Sequence, residues 1–324
     1  MASTFLRHAR TSVLPMKIDR ELSEHSPDGE SVLTIGVFDG VHRGHRRLIG
    51  HLVEHALAAG RLSAVVTFRN HPASVLRPGF TPRYLTSVEE RIGLIQGLGV
   101  DLLVPVTFDQ DLGNLRAEEF VRRLQEHLNM REMVVGPGFA MGHHREGDTR
   151  VLRELGKGMG FTVSVVDLLT DKGEDIRSTA IRNAVLEGWV PRAAELLGRN
   201  FAFDGKVVRG EGRGKGLGFP TANLVVSDEL AVPAHGIYAC WAWIGEDRFM
   251  AATSIGTRPT FDEAGRTIEA FILDFEGELY GRTVRLEFVD RLRDELKYET
   301  TQALQEQVNR DVDQTRKLLA TGRR

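Results

Sequence analysis

His42 and His45 flank Gly44 in the run TIGVFDGVHRGHRRL (residues 34–48), where a strand, a tight glycine turn and a helix meet. Leu33, Ile35 and Val37 read as the strand, Gly36 and Gly40 let the backbone turn and approach a ligand closely, and Gly44 opens the helix. A helix N-terminus offers unpaired N–H groups and the positive end of a dipole, which makes it a natural phosphate seat. Two imidazoles at that seat point to phosphate charge handled without a metal cage. His-x-Gly-His taken alone reads as an ordinary βα turn with surface histidines. A second stretch, GEGRGKGLGFPTANL (residues 210–224), is glycine-rich and basic, suited to wrapping phosphates with backbone N–H groups. It is not a Walker loop, because Lys215 is followed by Gly216, and it does not complete G-x-G-x-x-G.

One further histidine pattern is a decoy. His51, Glu54 and His55 (HLVEH) fit the H-x-x-E-H spacing of inverted zinc peptidases. On a helix they share the polar face with Arg47, opposite the stripe Leu48, Leu52 and Ala56, and read as a solvated face.

The elements that must position these residues fall into two periods. From the opening strand to Leu186 the chain alternates. Strands are expected at 63–68, 101–108, 133–136 and 163–169, with helices near 87–96, 117–128, 148–157 and 178–186. Such alternation predicts βαβ units in an α/β doubly wound open sheet, Rossmann-like, with ligands at the carboxyl ends of the strands. That rule directs attention to Asn70 and His71 after one strand, and to GPGFAMGHHREGD after another. It also picks out IRSTAIR (176–182), where Ser178 and Thr179 are N-cap types and Arg182 can face a phosphate. Beyond EGWVPRAAELLGRN (187–200) the period becomes strand-like. Candidates at 206–209, 223–226, 237–244, 249–255, 268–275 and 283–289 predict a six-stranded antiparallel β-barrel, followed by a C-terminal helix at 301–319. The switch of period places the domain boundary so that residues 17–186 form one domain and 187–324 the other.

Composition narrows the function. A chain of 324 residues is long enough for about two domains with sizeable cores. Its 42 Lys+Arg against 45 Asp+Glu, a formal net charge of -3, argue against a generic nucleic-acid binder. The single cysteine, Cys240, excludes an internal disulfide framework and any multi-cysteine metal site, and suits a reducing compartment. No apolar run approaches the ~20 residues that span a bilayer. The first residues lack the apolar core of a secretory signal, although they are basic and free of acids as far as Lys17, as in a transit peptide.

The string GVFDGVHRGH resembles the G-x-F-D-G-x-H-x-G-H signature of the flavin adenylyltransferases, within the HxGH nucleotidyltransferase superfamily. TFRNHP, GPGFAMG and IRSTAIR are similar, in order and spacing, to that module's T-F-x-x-H-P, G-x-D-F-x-F-G and S-S-T-x-I-R elements. In the second half, LGFPTANL resembles the flavokinase signature, with further matches at SIGTRPTF, IEAFILDFEGELYG and LRDELKY. The whole is similar to the bifunctional bacterial riboflavin kinase and FAD synthetase family, from about Ile18 onward.

That resemblance implies two reactions. The barrel would phosphorylate riboflavin to FMN with ATP; the α/β module would adenylylate FMN with a second ATP, giving FAD and pyrophosphate. It implies ATP binding in the adenylyltransferase by Gly36, Phe38, Asp39, Gly40, His42, His45, Ser178, Thr179 and Arg182, with His42 and His45 catalytic. Flavin would meet Asn70, His71 and Phe139. In the kinase it implies ATP and flavin contacts from Gly210, Lys215, Gly218, Phe219, Pro220, Thr221, Asn223 and Arg293, the last in a flavin-side flap. Thr221 and Asn223 would hold Mg²⁺, and Glu269 would be the general base. Small-molecule substrates, no nucleic acid, no membrane, a cytoplasmic monomer or weak homo-oligomer are the corresponding expectations. Gly138 stands where the family usually has Asp or Asn, Met141 where it has an aromatic, and Arg177 replaces the first Ser of S-S-T. Ser254 and Phe271 stand where Asn and His are common. The alternative is a riboflavin kinase alone with a degenerate adenylyltransferase module, which the intact GVFDGVHRGH opposes.

Overall fold

A computed structural model describes residues 16–167, 169–210, 218–257 and 266–321. The chain forms two compact units, each assembled from separate pieces: Met1–Val37, Leu52–Pro78 and Val100–Val166 in one, and Phe38–His51, Gly79–Gly99 and Asp167–Arg324 in the other.

The first unit is the parallel sheet. Its strands are β1 (Ser31–Gly36), β2 (Leu62–Phe68), β3 (Leu102–Val106), β4 (Met130–Val135) and β7 (Thr162–Val165), in the order β3-β2-β1-β4-β7. All four pairings are parallel, with Ile35 opposite Val66 and Leu33 opposite Met133. The order reverses beside β1, and the crevice outside the carboxyl ends of strands at such a switch point is where open α/β sheets take ligands. Both faces are covered, so β1 and β2 read as near-continuous apolar runs. The core gathers Leu33, Ile35, Val66, Val104, Phe120 and Leu124. Helices α1 (Lys17–Ser23), α3 (Pro72–Leu76), α5 (Gln110–Asn114), α6 (Ala117–Leu128) and α7 (Thr149–Met159) accompany these strands, with a short hairpin of β5 (Ala140–Met141) and β6 (Gly147–Asp148). Helix α2 (Arg43–Ala58) follows β1, buries Ile49, Leu52 and Ala56, and runs from one unit's piece of chain into the other's.

The second unit is built on the barrel. Strands β10 (Phe201–Val208), β11 (Ala222–Val225), β12 (Gly236–Ile244), β13 (Asp247–Thr257), β14 (Arg266–Ile272) and β15 (Thr283–Arg293) close in the order β10-β11-β14-β13-β12-β15, every pairing antiparallel. Closure removes the exposed edges that an open six-stranded sheet would present. A hairpin of β8 (Thr170–Asp171) and β9 (Glu174–Asp175), helices α8 (Ser178–Leu186) and α9 (Val190–Leu197), and the terminal α10 (Thr301–Ala320) belong to the same unit. So does α4 (Val88–Gln96), whose approach segment makes a bridge to the barrel loop: Tyr84 N–H donates to Glu229 O and Ala231 N–H to Tyr84 O, both at 2.7 Å. Tyr84, Leu85, Ile181, Val185 and Leu197 share one core with Phe201, Phe203 and Phe288 of the barrel.

Candidate active sites

The turn between β1 and α2 is strained and pinned. Phe38 (φ 52°), Gly40 (φ 80°) and Val41 (φ 38°) occupy left-handed backbone, and a β-branched residue there is an outlier. Such conformations persist only when the surroundings over-determine them, and they cluster at functional sites. Asp39, 2 % exposed, supplies much of the determination. Its Oδ1 accepts from Leu85 N–H at 2.8 Å and Thr86 N–H at 3.3 Å, and its Oδ2 pairs with Arg182 Nη2 at 2.9 Å. Gly40 N–H donates to Thr86 Oγ1 at 3.2 Å, and the Ser178 hydroxyl donates to Asp39 O at 3.0 Å. A Cβ on Gly40 would meet Leu85 Cδ1 at 2.9 Å. Gly40→Ala, carrying positive φ as well as that clash, is expected to lower unfolding free energy by roughly 1–3 kcal/mol in urea titrations. An unchanged midpoint would show that the turn tolerates a side chain.

His42 precedes the first residue of α2 and caps it: its Nδ1 accepts the His45 N–H at 3.3 Å. That bond assigns the proton of the neutral ring to Nε2, leaving an N–H donor beyond the helix end. The two imidazoles stack with centroids 3.6 Å apart, and Phe38 meets His45 edge-on at 5.2 Å. Gly44 makes room, since a Cβ there would stand 3.1 Å from His42 Cε1. Burial, assisted by the Arg199 charge, pulls His42 down to about 4. Burial, the His42 ring and Arg91 hold His45 well below the usual histidine range, and its Nδ1 is buried without a hydrogen-bond partner. Both rings are therefore neutral donors at pH 7.

A base whose folded pKa lies below its unfolded value is less protonated in the folded state, so stability rises with pH between the two values and is lost as pH falls through them. For His42 the window runs from about 4 to 6.5 and carries on the order of 2–4 kcal/mol. His42→Asn retains a side-chain acceptor for the cap and is expected to flatten that acid limb in urea unfolding measured from pH 4 to 7. A limb as steep as that of the parent would refute a buried neutral His42.

The remaining expected adenylyltransferase residues divide. Ser178 and Thr179 do not cap α8: its N-cap is Arg177, without a side-chain bond, because the helix begins one residue earlier and the Ser178 hydroxyl is drawn to Asp39 O. Thr179 is exposed. Arg177 pairs with Asp175 at 2.7 Å. Arg182 is held by Asp39 and donates from Nε to Arg83 O at 2.6 Å. In the sheet unit, both ends of the Asn70 amide serve Phe108, donating to its carbonyl at 2.8 Å and accepting its N–H at 2.9 Å. His71 Nδ1 caps α3 by accepting Ala73 N–H at 3.0 Å, and Phe139 is half-buried against the sheet core. Gly36 closes β1 with no left-handed backbone of its own, so the turn is made by residues 38–41. A Cβ at Gly138 would meet nothing within 4 Å.

The barrel brings a second group together. Register pairs Asn223 of β11 with Glu269 of β14, and Ala222 with Ala270. Thr221, one residue before β11, donates its hydroxyl to Glu269 Oε2 at 3.2 Å. Gly210 lies so close to Asn223 that a Cβ would stand 2.3 Å from Nδ2. Phe219 meets Phe271 edge-on at 5.5 Å, with exposed Gly218 and Pro220 beside it. Arg293 is the last residue of β15 and not part of a loop; its guanidinium grips buried Asp311 of α10 through bonds of 2.9 and 2.6 Å. Lys215 lies outside the described residues. Among the described residues no group of three His, Cys, Asp or Glu could hold a metal ion, and His55 of the decoy bonds Glu132 at 2.9 Å. Thr86, Arg199 and Asp311, all in direct contact with expected site residues, belong to no motif, and no local signal in the sequence marks them.

The described residues thus comprise an open parallel sheet, a histidine-bearing turn after its first strand, and a closed six-stranded barrel with a Thr-Asn-Glu cluster. The FAD synthetase family model matches residues 24–180 and the riboflavin kinase family model residues 197–319. The bifunctional riboflavin kinase/FMN adenylyltransferase of Escherichia coli (strain K12) is 34 % identical over 91 % of this chain and 96 % of its own length. That of Pseudomonas fluorescens is 35 % identical over 94 % and 98 %. A solved structure from Streptococcus pneumoniae, described as a macrolide-efflux protein, superposes with a TM-score of 0.85 at 31 % identity, covering 91 % of this chain and 96 % of that one. The chain belongs to the bifunctional riboflavin kinase/FMN adenylyltransferase family.

Proposed function

We propose that this chain phosphorylates riboflavin to FMN with ATP and then adenylylates FMN with a second ATP to give FAD and pyrophosphate. The supporting observation is that one chain carries both assembled clusters, the pinned His42/His45 turn and the Thr221–Asn223–Glu269 group. Adenylyl transfer is assigned to residues 17–186 and the kinase reaction to 187–324.

In the kinase reaction the ribityl 5′-hydroxyl oxygen attacks the γ-phosphorus, the bond to the ADP oxygen breaks, and Glu269 takes the hydroxyl proton. Phosphoryl transfer needs positioning and a base and no protein nucleophile. Thr221 and Asn223, beside the Glu269 carboxylate, present hydroxyl, amide and carboxylate oxygens, the donor set that suits a hard cation. They would hold Mg²⁺, which when bound neutralises phosphate charge. Gly210, Gly218, Phe219 and Pro220 wall this site, and Arg293, fixed by Asp311, orders its border; the resemblance adds Lys215, which lies outside the described residues.

In adenylyl transfer an FMN phosphate oxygen attacks the α-phosphorus of ATP and pyrophosphate leaves. Gly36, at the end of β1, and Phe38, Asp39 and Gly40, of the turn, are assigned to ATP, the Asp39 carboxylate acting from behind the turn by holding Arg182, Leu85 and Thr86. His42 and His45 donate to phosphate oxygens as charge builds on them. The resemblance assigns Ser178, Thr179 and Arg182 to the nucleotide, and Asn70, His71 and Phe139 to the flavin. The reading with a degenerate transferase is set aside because GVFDGVHRGH is intact and the FAD synthetase family model matches residues 24–180.

The substrates are small molecules, and we assign no nucleic-acid or membrane partner, a cytoplasmic location, and a monomeric or weakly associating state. Among the described residues no helix is long and apolar enough to cross a membrane. Isotope tracing tests the pair of reactions. ATP labelled at the γ-phosphorus should label FMN and FAD, whereas ATP labelled at the α-phosphorus should label FAD alone. FAD without α-label would contradict the adenylyl-transfer assignment.

A further inference from the structure

Arg199 lies within the stretch matched by the riboflavin kinase model, between α9 and β10, yet its contact is with the other reaction's turn. Its Nη1 donates to the Gly40 carbonyl at 2.9 Å. The Gly40 N–H is engaged by Thr86, so both faces of this left-handed residue are held. The segment before Arg199 also approaches closely, since a Cβ on Gly40 would stand 3.3 Å from Leu197 Cδ2. The guanidinium is half-buried, and burial lowers it to about 10, so it stays charged at neutral pH. Arg46 and Arg285 oppose that charge, while Glu90 and Asp39 favour it. Arg285 is itself ion-paired with Glu90. A cation beside other cations, with a backbone carbonyl as its hydrogen-bond acceptor, is a costly way merely to close a turn.

We infer that Arg199 is a positioning residue for adenylyl transfer, clamping the Gly40 carbonyl so that the turn presents His42 and His45 to the nucleotide phosphates. The inference rests on reading that turn as the adenylyl-transfer site. It means that a side chain from the kinase-matched segment serves the other reaction. Arg199 also stands close enough to His42 for its charge to help keep that ring neutral, which preserves the Nδ1 acceptor of the helix cap. The clamp acts on geometry, so its loss should appear in turnover more than in ground-state binding of ATP.

The test uses the full chain. FAD formation from FMN and ATP, and FMN formation from riboflavin and ATP, are measured for Arg199→Gln, Arg199→Met and Arg199→Lys, with His45→Ala alongside. Met keeps the aliphatic stem and replaces Gln as the neutral variant if Gln fails to fold. The neutral variants are expected to lower kcat for FAD formation roughly 10- to 100-fold, the scale of one charge-assisted hydrogen bond. KM for ATP should move less than about threefold and riboflavin phosphorylation less than about twofold, and Lys should restore most of the lost turnover. Wild-type FAD formation in the neutral variants with His45→Ala impaired would overturn the role of Arg199 alone. Wild-type rates in His45→Ala as well would overturn the reading of the site. Parallel loss of both activities, a change confined to KM, or a Lys variant as impaired as Gln would make Arg199 a structural contact and overturn the inference.

Discussion

His45→Ala is expected to lower FAD formation from FMN and ATP by roughly 10²–10³-fold, the usual effect of removing one well-aimed donor from a transferring phosphate. Riboflavin phosphorylation in the same sample should stay near the parent rate. The selectivity follows from what His45 touches. Its ring lies against His42 and Phe38, its Nδ1 has no hydrogen-bond partner, and burial keeps it neutral. The fold should survive, because the Asp39 bonds to Leu85, Thr86 and Arg182 that pin the turn do not pass through His45. Steady-state FAD formation at the parent rate would remove the chief reason for treating the turn as a reaction centre.

Glu269→Gln is expected to reduce FMN formation by roughly 10²–10⁴-fold, the range for a positioned general base. Gln preserves shape and can still accept a hydrogen bond from the Thr221 hydroxyl, so lost packing would not account for the effect. FAD formation from supplied FMN should persist, since the residues assigned to that step lie elsewhere in the chain. A variant with near-parent kinase turnover would exclude Glu269 as the base and leave the Thr221 contact as a purely structural one.

The two predictions rest on parts of the chain that differ in how legible they were. Helix α6 begins and ends where its pattern does, at Ala117 and Leu128, because five apolar residues recur on one face. The barrel's six strands are legible because alternation survives even where their ends shift; β14 stops at Ile272, two residues before Asp274 turns left-handed. Helices α1, α3 and α5, of five to seven residues, are too short to display a helical period. The two short hairpins likewise offer only two residues per strand.

At the sites, what was readable is what is contiguous. His42, Gly44 and His45 announce a helix mouth because their relationship spans one turn. Asp39 and Arg182 are 143 residues apart, so their pairing cannot be read from spacing. The Ser178 hydroxyl illustrates the limit of local preference: a residue suited to capping a helix sits one position inside it and serves a distant carbonyl. Gly40 is informative as a residue needing φ of 80°, but nothing beside it indicates that Arg199 holds its carbonyl.

The most direct measurement is an HPLC time course of the purified chain supplied with riboflavin, ATP and Mg²⁺. FMN should appear first and FAD should accumulate from it, with both products absent when ATP is withheld. Accumulation of FMN that is never converted, or no flavin product at all, would contradict the assignment of both reactions to this chain.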